Sequence, residues 1–473
     1  MINFSINKKM DSHFIYQQIY KGIKANILEG RMKPDDKLPS KRILAKQLEV
    51  SVNSVMNAYD QLLAEGYIYP VERKGYYVEN ITQFINQRAS VKNTLPADLR
   101  ETKSGSGDSL SLSHMTSSLS LFPFKEWVRC QEKAIKNHAR ELSEMPHPQG
   151  PYSVRKSICH LIALTRGVIC EPEQIVIGAG TKSLVRQLME LRNKETIIAM
   201  EDPGYSRLYH LLKKMEFDIR PVKMDKKGIN INEVERSGAN FAVVTPSHQF
   251  PTGKIMPIAR RIELLNWSIS SIDRYIIEDD YDSEFKYETD HIPSLQSLDR
   301  NQRVIYTGTF SKTMFPGLRI SYMVLPPNLL REHRGYYADL IQSSNTLSLF
   351  TMHYFIESGE YIRHVKRMNH HYEIKRKTLI KELQHRFKHN VSIENVPAGL
   401  HFLAHFKTQL DYGEIEKRAI AENLEIYTMK RFMLKHRIIE ENKISLVLGF
   451  ANIQEEKIKE AVNRLYAIFS CKV

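Results

Sequence analysis

Ile15, Ile19, Ile23 and Ile27, with Phe14 beside the first, recur at every fourth position and stop at Gly30. This is the pattern of an amphipathic helix ended by glycine. A break at Lys33-Pro34-Asp35-Asp36 follows. Leu38-Pro39-Ser40 then opens a shorter helix over Lys41 to Leu48, capped by Ser40 and lined by Ile43, Leu44 and Leu48. Glu49, Val50 and Ser51 make a three-residue turn into a third helix, from about Val52 to Glu65. Its inner face carries Val55, Tyr59, Leu62 and Leu63, its outer face Asn53, Ser54, Asn57 and Asp60, and Gly66 stops it. Tyr67-Ile68-Tyr69 and Tyr76-Tyr77-Val78 flank Val71-Glu72-Arg73-Lys74-Gly75, which reads as a hairpin with a basic tip.

From about Ile81 to Leu112 the periodicity is lost, and Asn93-Thr94-Leu95-Pro96 and Lys103-Ser104-Gly105-Ser106-Gly107-Asp108 have the composition of a flexible connection. The expected division is therefore residues 1–80, a linker over 81–112, and a larger domain over 113–473. In the larger part, Ile175-Val176-Ile177, Ile197-Ile198-Ala199, Phe241-Ala242-Val243-Val244, Tyr275-Ile276-Ile277 and Val304-Ile305-Tyr306 alternate with helical stretches. Short buried strands separated by helices predict an α/β fold around a largely parallel sheet, whose ligands sit at the carboxyl ends of the strands. Four of the five runs lead at once into small or polar residues: Gly178-Ala179-Gly180-Thr181, Thr245-Pro246-Ser247-His248, Glu278-Asp279-Asp280-Tyr281 and Thr307-Gly308-Thr309-Phe310-Ser311-Lys312.

Composition narrows the function classes. The 473 residues leave room for two to four folding units, and no apolar run approaches the roughly 20 residues of a membrane span. Lys8 and Lys9 precede no apolar segment, so no secretory leader is expected and the protein is read as soluble and cytoplasmic. Cys130, Cys159, Cys170 and Cys471 form no C-x-x-C pair, which argues against a zinc knuckle or a disulfide framework. The net charge of +14 suits a polyanionic partner, yet residues 1–80 hold 12 Lys and Arg against 9 Asp and Glu, only +3. A DNA-binding assignment therefore rests on pattern: polar residues at the start of the third helix are what a major-groove helix needs, and Arg73-Lys74-Gly75 can approach a phosphate.

The strand ends of the larger domain hold what an aldehyde cofactor with a pyridine ring and a phosphate demands: an amine, a carboxylate for the ring nitrogen, an aromatic face and phosphate donors. Lys312 offers the amine, although a lone strand-end lysine is ordinarily a solvated charge. Asp279 offers the carboxylate, with Asp280 as its competitor, and Tyr281, two residues on, shares its side and can meet the phenolic oxygen. Gly180-Thr181-Lys182 opens a helix whose N-terminus can take a phosphate. Tyr205, in Glu201-Asp202-Pro203-Gly204-Tyr205, is the candidate stacking ring. Arg207 and Arg431 read equally as surface cations or as forks for a carboxylate. The Glu-Asp-Asp run lacks the spacing of a calcium loop, and no metal is expected.

L-P-S-K-R-x-L-A at 38–45, S-V-N-S-V at 51–55 and L-L-A-E-G-Y-I at 62–68 resemble the GntR family of winged helix regulators. The resemblance implies a double-stranded DNA operator met by Ser40, Lys41, Arg42, Ser51, Asn53, Ser54, Asn57, Arg73, Lys74 and Gly75. Val52 departs from the family, which usually has Arg there. Thr309-Phe310-Ser311-Lys312, with Arg319 ending Pro316-Gly317-Leu318-Arg319, resembles the lysine and phosphate-binding arginine loop of fold-type I aminotransferases, and Tyr205 their stacking aromatic. Both parts together resemble the MocR family, in particular its GabR-type members. Met145-Pro146-His147-Pro148-Gln149-Gly150, the run from Thr245 to Gly253, the run from Ile277 to Phe285, and Ala398-Gly399-Leu400-His401-Phe402 add to the likeness.

That resemblance implies a winged helix-turn-helix (α+β) followed by an α/β PLP-dependent transferase domain of fold type I with a smaller C-terminal α+β subdomain. The cofactor is pyridoxal 5'-phosphate (PLP), bound at Lys312, Asp279, Tyr281, Tyr205, Gly180, Thr181, Lys182, Thr309 and Arg319. It further implies a head-to-tail homodimer with swapped DNA-binding domains. The effector is an amino acid, γ-aminobutyrate (GABA), held by Arg207 and Arg431 and forming an external aldimine with PLP. Such a protein represses its own gene and activates GABA-catabolic genes. The alternative is a working aminotransferase with a DNA-binding extension.

Overall fold

The computed structural model describes residues 6, 14–81, 95–100, 109–114, 119–287, 292–340, 342–394, 398–435 and 442–470. The chain divides into two compact units, Met1–Gly105 and Ser106–Val473.

In the first unit, α1 (Ile15–Leu28), α2 (Lys41–Leu48) and α3 (Val52–Ala64) precede an antiparallel hairpin of β1 (Ile68–Val71) and β2 (Gly75–Val78). Ile19, Ile23, Ile27, Leu44, Val55, Tyr59, Leu62, Ile68 and Val78 make its core. Four expected core positions lie outside it. Phe14 is 73% exposed and Ile15 lies at the surface, because the helix begins there and its first turn projects past the core. Ile43 is 55% exposed and Leu63 is also exposed, since each is one residue, about 100° of helix, from an inward neighbour, Leu44 or Leu62. Ser40 Oγ accepts from the Ile43 N–H at 3.3 Å and Ser51 Oγ from the Ser54 N–H at 3.1 Å, so serines cap both helices of the helix-turn-helix. Glu49 takes the left-handed conformation that lets the chain turn between them.

Most of the expected linker, 82–94 and 101–108, lies outside the described residues. Its last residues are built into the second unit: β3 (Leu110–Ser111) pairs in parallel with a short strand at Leu424–Glu425, and Leu112 is fully buried. Leu110-Ser111-Leu112 is too short a run to signal a strand without its partner.

The five expected strands are present as β4 (Ile175–Gly178), β5 (Ile197–Asp202), β8 (Phe241–Val244), β9 (Tyr275–Asp280) and β10 (Val304–Thr309). Joined by β6 (Asp218–Asp225), β7 (Gly228–Ile229) and β11 (Ser321–Val324), they form one sheet in the order β4-β11-β10-β9-β8-β5-β6-β7. Strands β6, β5, β8, β9 and β10 run parallel, while β11 is antiparallel to both neighbours. The sequence pattern missed β6 because, near the edge, its alternate residues face solvent, and β11 because it has only four residues. Helices α4 (Phe124–Asn137), α5 (Tyr152–Arg166), α6 (Thr181–Glu190) and α7 (Ser206–Lys214) belong to this part.

A smaller antiparallel sheet follows: β12 (Val391–Glu394), β13 (His401–Lys407), β15 (Tyr427–Thr428) and β16 (Lys443–Gly449), in the order β12-β13-β16-β15, with β14 being Leu424–Glu425. The helices Glu360–Phe387 and Ile458–Ser470 share its core through Leu379, Leu383 and Leu465. No helix among the described residues is long and apolar enough to cross a membrane.

Leu62 is fully buried against the three helices and the hairpin. Leu62→Ala is expected to destabilise the first unit by about 2–5 kcal/mol. Denaturant unfolding of the full chain should resolve this as an earlier first transition with the second unchanged.

Candidate functional site

The carboxyl end of β9 sorts its three acids by strand alternation. Glu278 accepts the backbone N–H groups of Leu295 at 2.7 Å and Gln296 at 2.9 Å. Asp280 accepts Arg166 Nε at 2.7 Å and the Tyr306 hydroxyl at 2.6 Å. Both are consumed inside the fold. Asp279, between them, lines a cavity of about 260 Å³, and the one side-chain donor it meets among the described residues is the Thr307 hydroxyl at 3.2 Å. Burial pushes its carboxyl up to about 7, with the Asp280 and Asp282 charges adding to the rise. A buried acid held this way calls for a cation beside it.

Strand β10 delivers Lys312 to the same cavity. Its Nζ donates to the main-chain carbonyl of His114 at 2.7 Å. Burial lowers the amine to about 8; Asp282 opposes the fall and Arg207 adds to it. The far end of the cavity is built for an anion. The N-cap of α6 is Gly180, at φ 145°, which supplies no capping side chain, so the first N–H groups of the helix stay open. A Cβ at 180 would collide with the Arg319 guanidinium. Thr181, Lys182, Thr309, Ser311 and Arg319 line this end. Thr309 Oγ1 accepts from the Ser311 N–H at 3.2 Å and from the Ser321 hydroxyl at 2.7 Å, which fixes the loop.

Tyr205, the N-cap residue of α7, and Tyr281 also line the cavity. Each packs edge-on to Phe250, with ring centroids 6.1 and 5.7 Å apart. Burial pushes the Tyr205 hydroxyl up to about 12 and raises that of Tyr281, which lies 3.0 Å from His248 Nδ1. Lys312, Asp279 and the Gly180–Arg319 cradle thus stand ready for the aldehyde, the ring nitrogen and the phosphate of PLP, and its fit rests on that buried acid and open helix end. The domain is of the kind that takes PLP.

Arg207 lines the cavity, is exposed, and makes no ion pair among the described residues. Arg431 is not brought in: it lies 3.5 Å from Glu416, over the Tyr427 ring at 4.9 Å. His114, Thr245, Phe250 and Ser311 line the cavity and were not among the expected site residues. Ser311 and Phe250 lie within the motifs quoted above, but His114 had no local signal, since it follows a stretch read as linker. Its ring is enclosed by Phe250, His401, Tyr427 and Phe432, and burial drops it to about 3, so it is neutral. Beside the cavity, His248, Asp282 and His401 are the one group among the described residues spaced for a metal ion, and it is already stitched by the His248–Asp282 contact at 3.0 Å.

On the first unit, Arg42, Asn53, Asn57, Arg73, Lys74 and Gly75 are exposed, and Gly75 has φ 112° at the hairpin tip. Ser40 and Ser51 are engaged as caps, and Ser54 Oγ lies 2.8 Å from Ser51 Oγ. Lys41 is less free than expected: it reaches Asp60 at 3.4 Å and lies over the Tyr76 ring at 5.1 Å. Val52 is exposed at the first position of α3.

Residues 111–465 match the family Aminotransferase class I and II, and residues 15–78 match Bacterial regulatory proteins, gntR family. The chain is 35% identical over 465 residues to the HTH-type transcriptional regulator YdeL of Bacillus subtilis, covering 98% of each. It is 28% identical over 475 residues to the probable rhizopine catabolism regulatory protein MocR of Rhizobium meliloti, covering 96% of this chain and 94% of that one. Among solved structures, the kynurenine aminotransferase of Pyrococcus horikoshii shares the fold of the larger unit, with a TM-score of 0.69 at 20% identity over 80% of this chain and 98% of that one.

Cofactor capture requires a neutral lysine. Its rate, followed by absorbance after mixing with PLP, is expected to rise with pH through a midpoint near 8. Asp279 has its folded value raised from 3.8 to about 7, so the cofactor-free protein loses stability as pH climbs through that window. Asp279→Asn should therefore melt higher than the parent by a margin that grows from pH 5 to 8. Arg42→Ala should weaken operator binding while lowering the salt slope by about 1, read by titration at several salt concentrations.

Proposed function

Since the chain belongs to the MocR family of transcriptional regulators, a GntR-type winged helix joined to a class I/II aminotransferase domain, we propose that it senses an amino acid, GABA, at Lys312. The response passes to DNA through the segment that ends at His114. The observation that carries this reading is the Lys312–His114 hydrogen bond. Residues 109–114 are the described end of the connection from the winged helix, and they are sewn to the smaller subdomain. The Leu110 N–H donates to Asn423 O at 3.0 Å, the Leu112 N–H to Glu425 O at 2.9 Å, and the Gly449 N–H to Leu112 O at 2.8 Å. In the same stretch, His114 O accepts from the lysine of the larger subdomain.

PLP, when bound, supplies the carbonyl carbon that an amine attacks and a ring that withdraws electrons. Lys312 supplies that amine, and its low proton affinity keeps much of it neutral at mildly alkaline pH. Asp279 would hold a proton on the ring nitrogen, Gly180, Thr181, Lys182, Thr309 and Arg319 would hold the phosphate, and Tyr205 and Tyr281 would supply aromatic surface for the ring. Commitment of Lys312 to that carbonyl carbon would take the ammonium donor from His114 O, which would loosen the latch between the connecting segment and the larger subdomain. Arg207 is the first anchor for the effector carboxylate. Arg431 joins it only by giving up Glu416 and Tyr427, so closure of the smaller subdomain is tied to effector binding.

On the resemblance to GabR-type members we also propose a cytoplasmic, head-to-tail homodimer with exchanged DNA-binding domains that represses its own gene and activates GABA-catabolic genes. A second reading, a working aminotransferase, is favoured by the presence of the lysine, the aspartate and the phosphate cradle together. Repeated conversion of GABA with a keto acid would select it.

Lys312→Met removes the donor and Lys312→Arg keeps one, while neither captures PLP. Hydrogen exchange at the Leu110 and Leu112 amides is expected to speed up in Lys312→Met and stay near the parent rate in Lys312→Arg; equal exchange in both would refute the latch. Both should bind operator and ignore GABA. Arg207→Ala should raise the half-saturating GABA concentration about tenfold or more, and Arg431→Ala by less.

A further inference from the structure

A second cavity, of about 400 Å³, opens in the larger unit between its two subdomains. Its size is in the range of small-molecule sites. One wall comes from β6 and its turn, with Lys223, Met224 and Lys226, and from Lys254. The other comes from β13 and the loop after β15, with Leu403, Met429 and Met433. The floor is apolar, since Leu403 and Met429 are buried.

The charges around it are unequally matched. Asp225 accepts Arg260 Nη2 at 2.8 Å and the Lys227 N–H at 2.6 Å. Asp202 accepts the N–H groups of Leu434 at 2.8 Å and Lys435 at 3.1 Å. Glu394 lies 3.4 Å from His405 Nε2 and is held below the usual carboxylate range by it, with Lys254 adding through space. Each acid is answered within the fold, whereas Lys223, Lys226 and Lys254 make no ion pair among the described residues. An apolar floor beside the exposed, ion-pair-free Lys223 and Lys226, with Lys254 acting on Glu394 only through space, is complementary to a small organic anion.

We propose that this cavity is a second ligand site, taking an anion with a carboxylate or phosphate head and an apolar body. Asp202 and Pro203 line it while Tyr205 and Arg207 line the first cavity, and Gly204, between them, donates to Phe432 O at 2.9 Å. Phe432 adjoins Arg431. A ligand gripped by both walls favours one spacing of the subdomains, and so shifts the affinity of the first site for its effector. That coupling rests on the function proposed above; binding by itself does not.

The experiment is calorimetric titration of the full-length, PLP-saturated protein with phenyl phosphate, benzoate and neutral benzyl alcohol. Saturable binding of one phenyl phosphate or benzoate per chain is expected, weakened about tenfold in the double variant Lys223→Gln, Lys254→Gln and unchanged in Arg207→Ala. Binding of either anion supports the site and tells phosphate from carboxylate. The proposal is overturned if neither anion binds, if benzyl alcohol binds equally, or if the lysine variant binds as the parent does. Loss of binding in Arg207→Ala would also overturn it, placing the anion in the first cavity. A shift in the half-saturating GABA concentration with the anion present tests the coupling separately.

Discussion

The enclosed amine of Lys312 has a carbonyl for a partner where a carboxylate would have kept it charged. That choice governs the rest of the site. A buried ammonium facing an acid would sit in a stable ion pair, inert toward an aldehyde. Facing a carbonyl, it keeps a hydrogen bond yet loses protons easily, since burial costs the charged form more than one neutral acceptor returns. Asp279 is the complementary case, an acid buried with one hydroxyl and, among the described residues, no cation. The two mismatches leave the cavity poised for a molecule that brings a cationic ring nitrogen to one and takes the amine of the other. The nearby acids that would have spoiled this arrangement, Glu278 and Asp280, are tied to backbone N–H groups and to Arg166.

The carbonyl belongs to His114, which makes the site sensitive to a distant part of the chain. The segment reaching it is anchored on β14 and β16 of the smaller subdomain. The Lys312–His114 contact therefore lies four residues or fewer from the backbone bonds of Leu110 and Leu112 to the smaller subdomain. Arg431 belongs to the same subdomain and rests on Glu416 and Tyr427. Arg207 stands at the cavity and Arg431 does not.

The winged unit spends its polar residues economically. Ser40 and Ser51 cap the two helices of the helix-turn-helix, and Lys41 is drawn to Asp60 and Tyr76. Arg42, Asn53, Asn57 and the hairpin tip remain exposed. Val52 is exposed on the first turn of α3.

Local chemistry was legible in the chain itself: the fourfold spacing of isoleucines in α1, the Ser40 cap, the glycine at the hairpin tip, and five apolar runs, four of them leading at once to small or polar strand ends. These features are decided within a few residues, by helix periodicity, capping and the conformations only glycine adopts readily. The same reasoning overreached at Ile43 and Leu63, where an apolar neighbour of a core residue was read as core. It also passed over β11 and the pairing of Leu110-Ser111, whose stability comes from partners elsewhere. Only tertiary structure decided that Asp279, and not Asp280, faces the cavity, that Arg431 stands apart, and that two subdomains enclose a second, lysine-rimmed space. It alone placed His114 on Lys312, 198 residues away, because a contact between distant segments depends on how sheets and helices pack and leaves no periodic trace in the sequence.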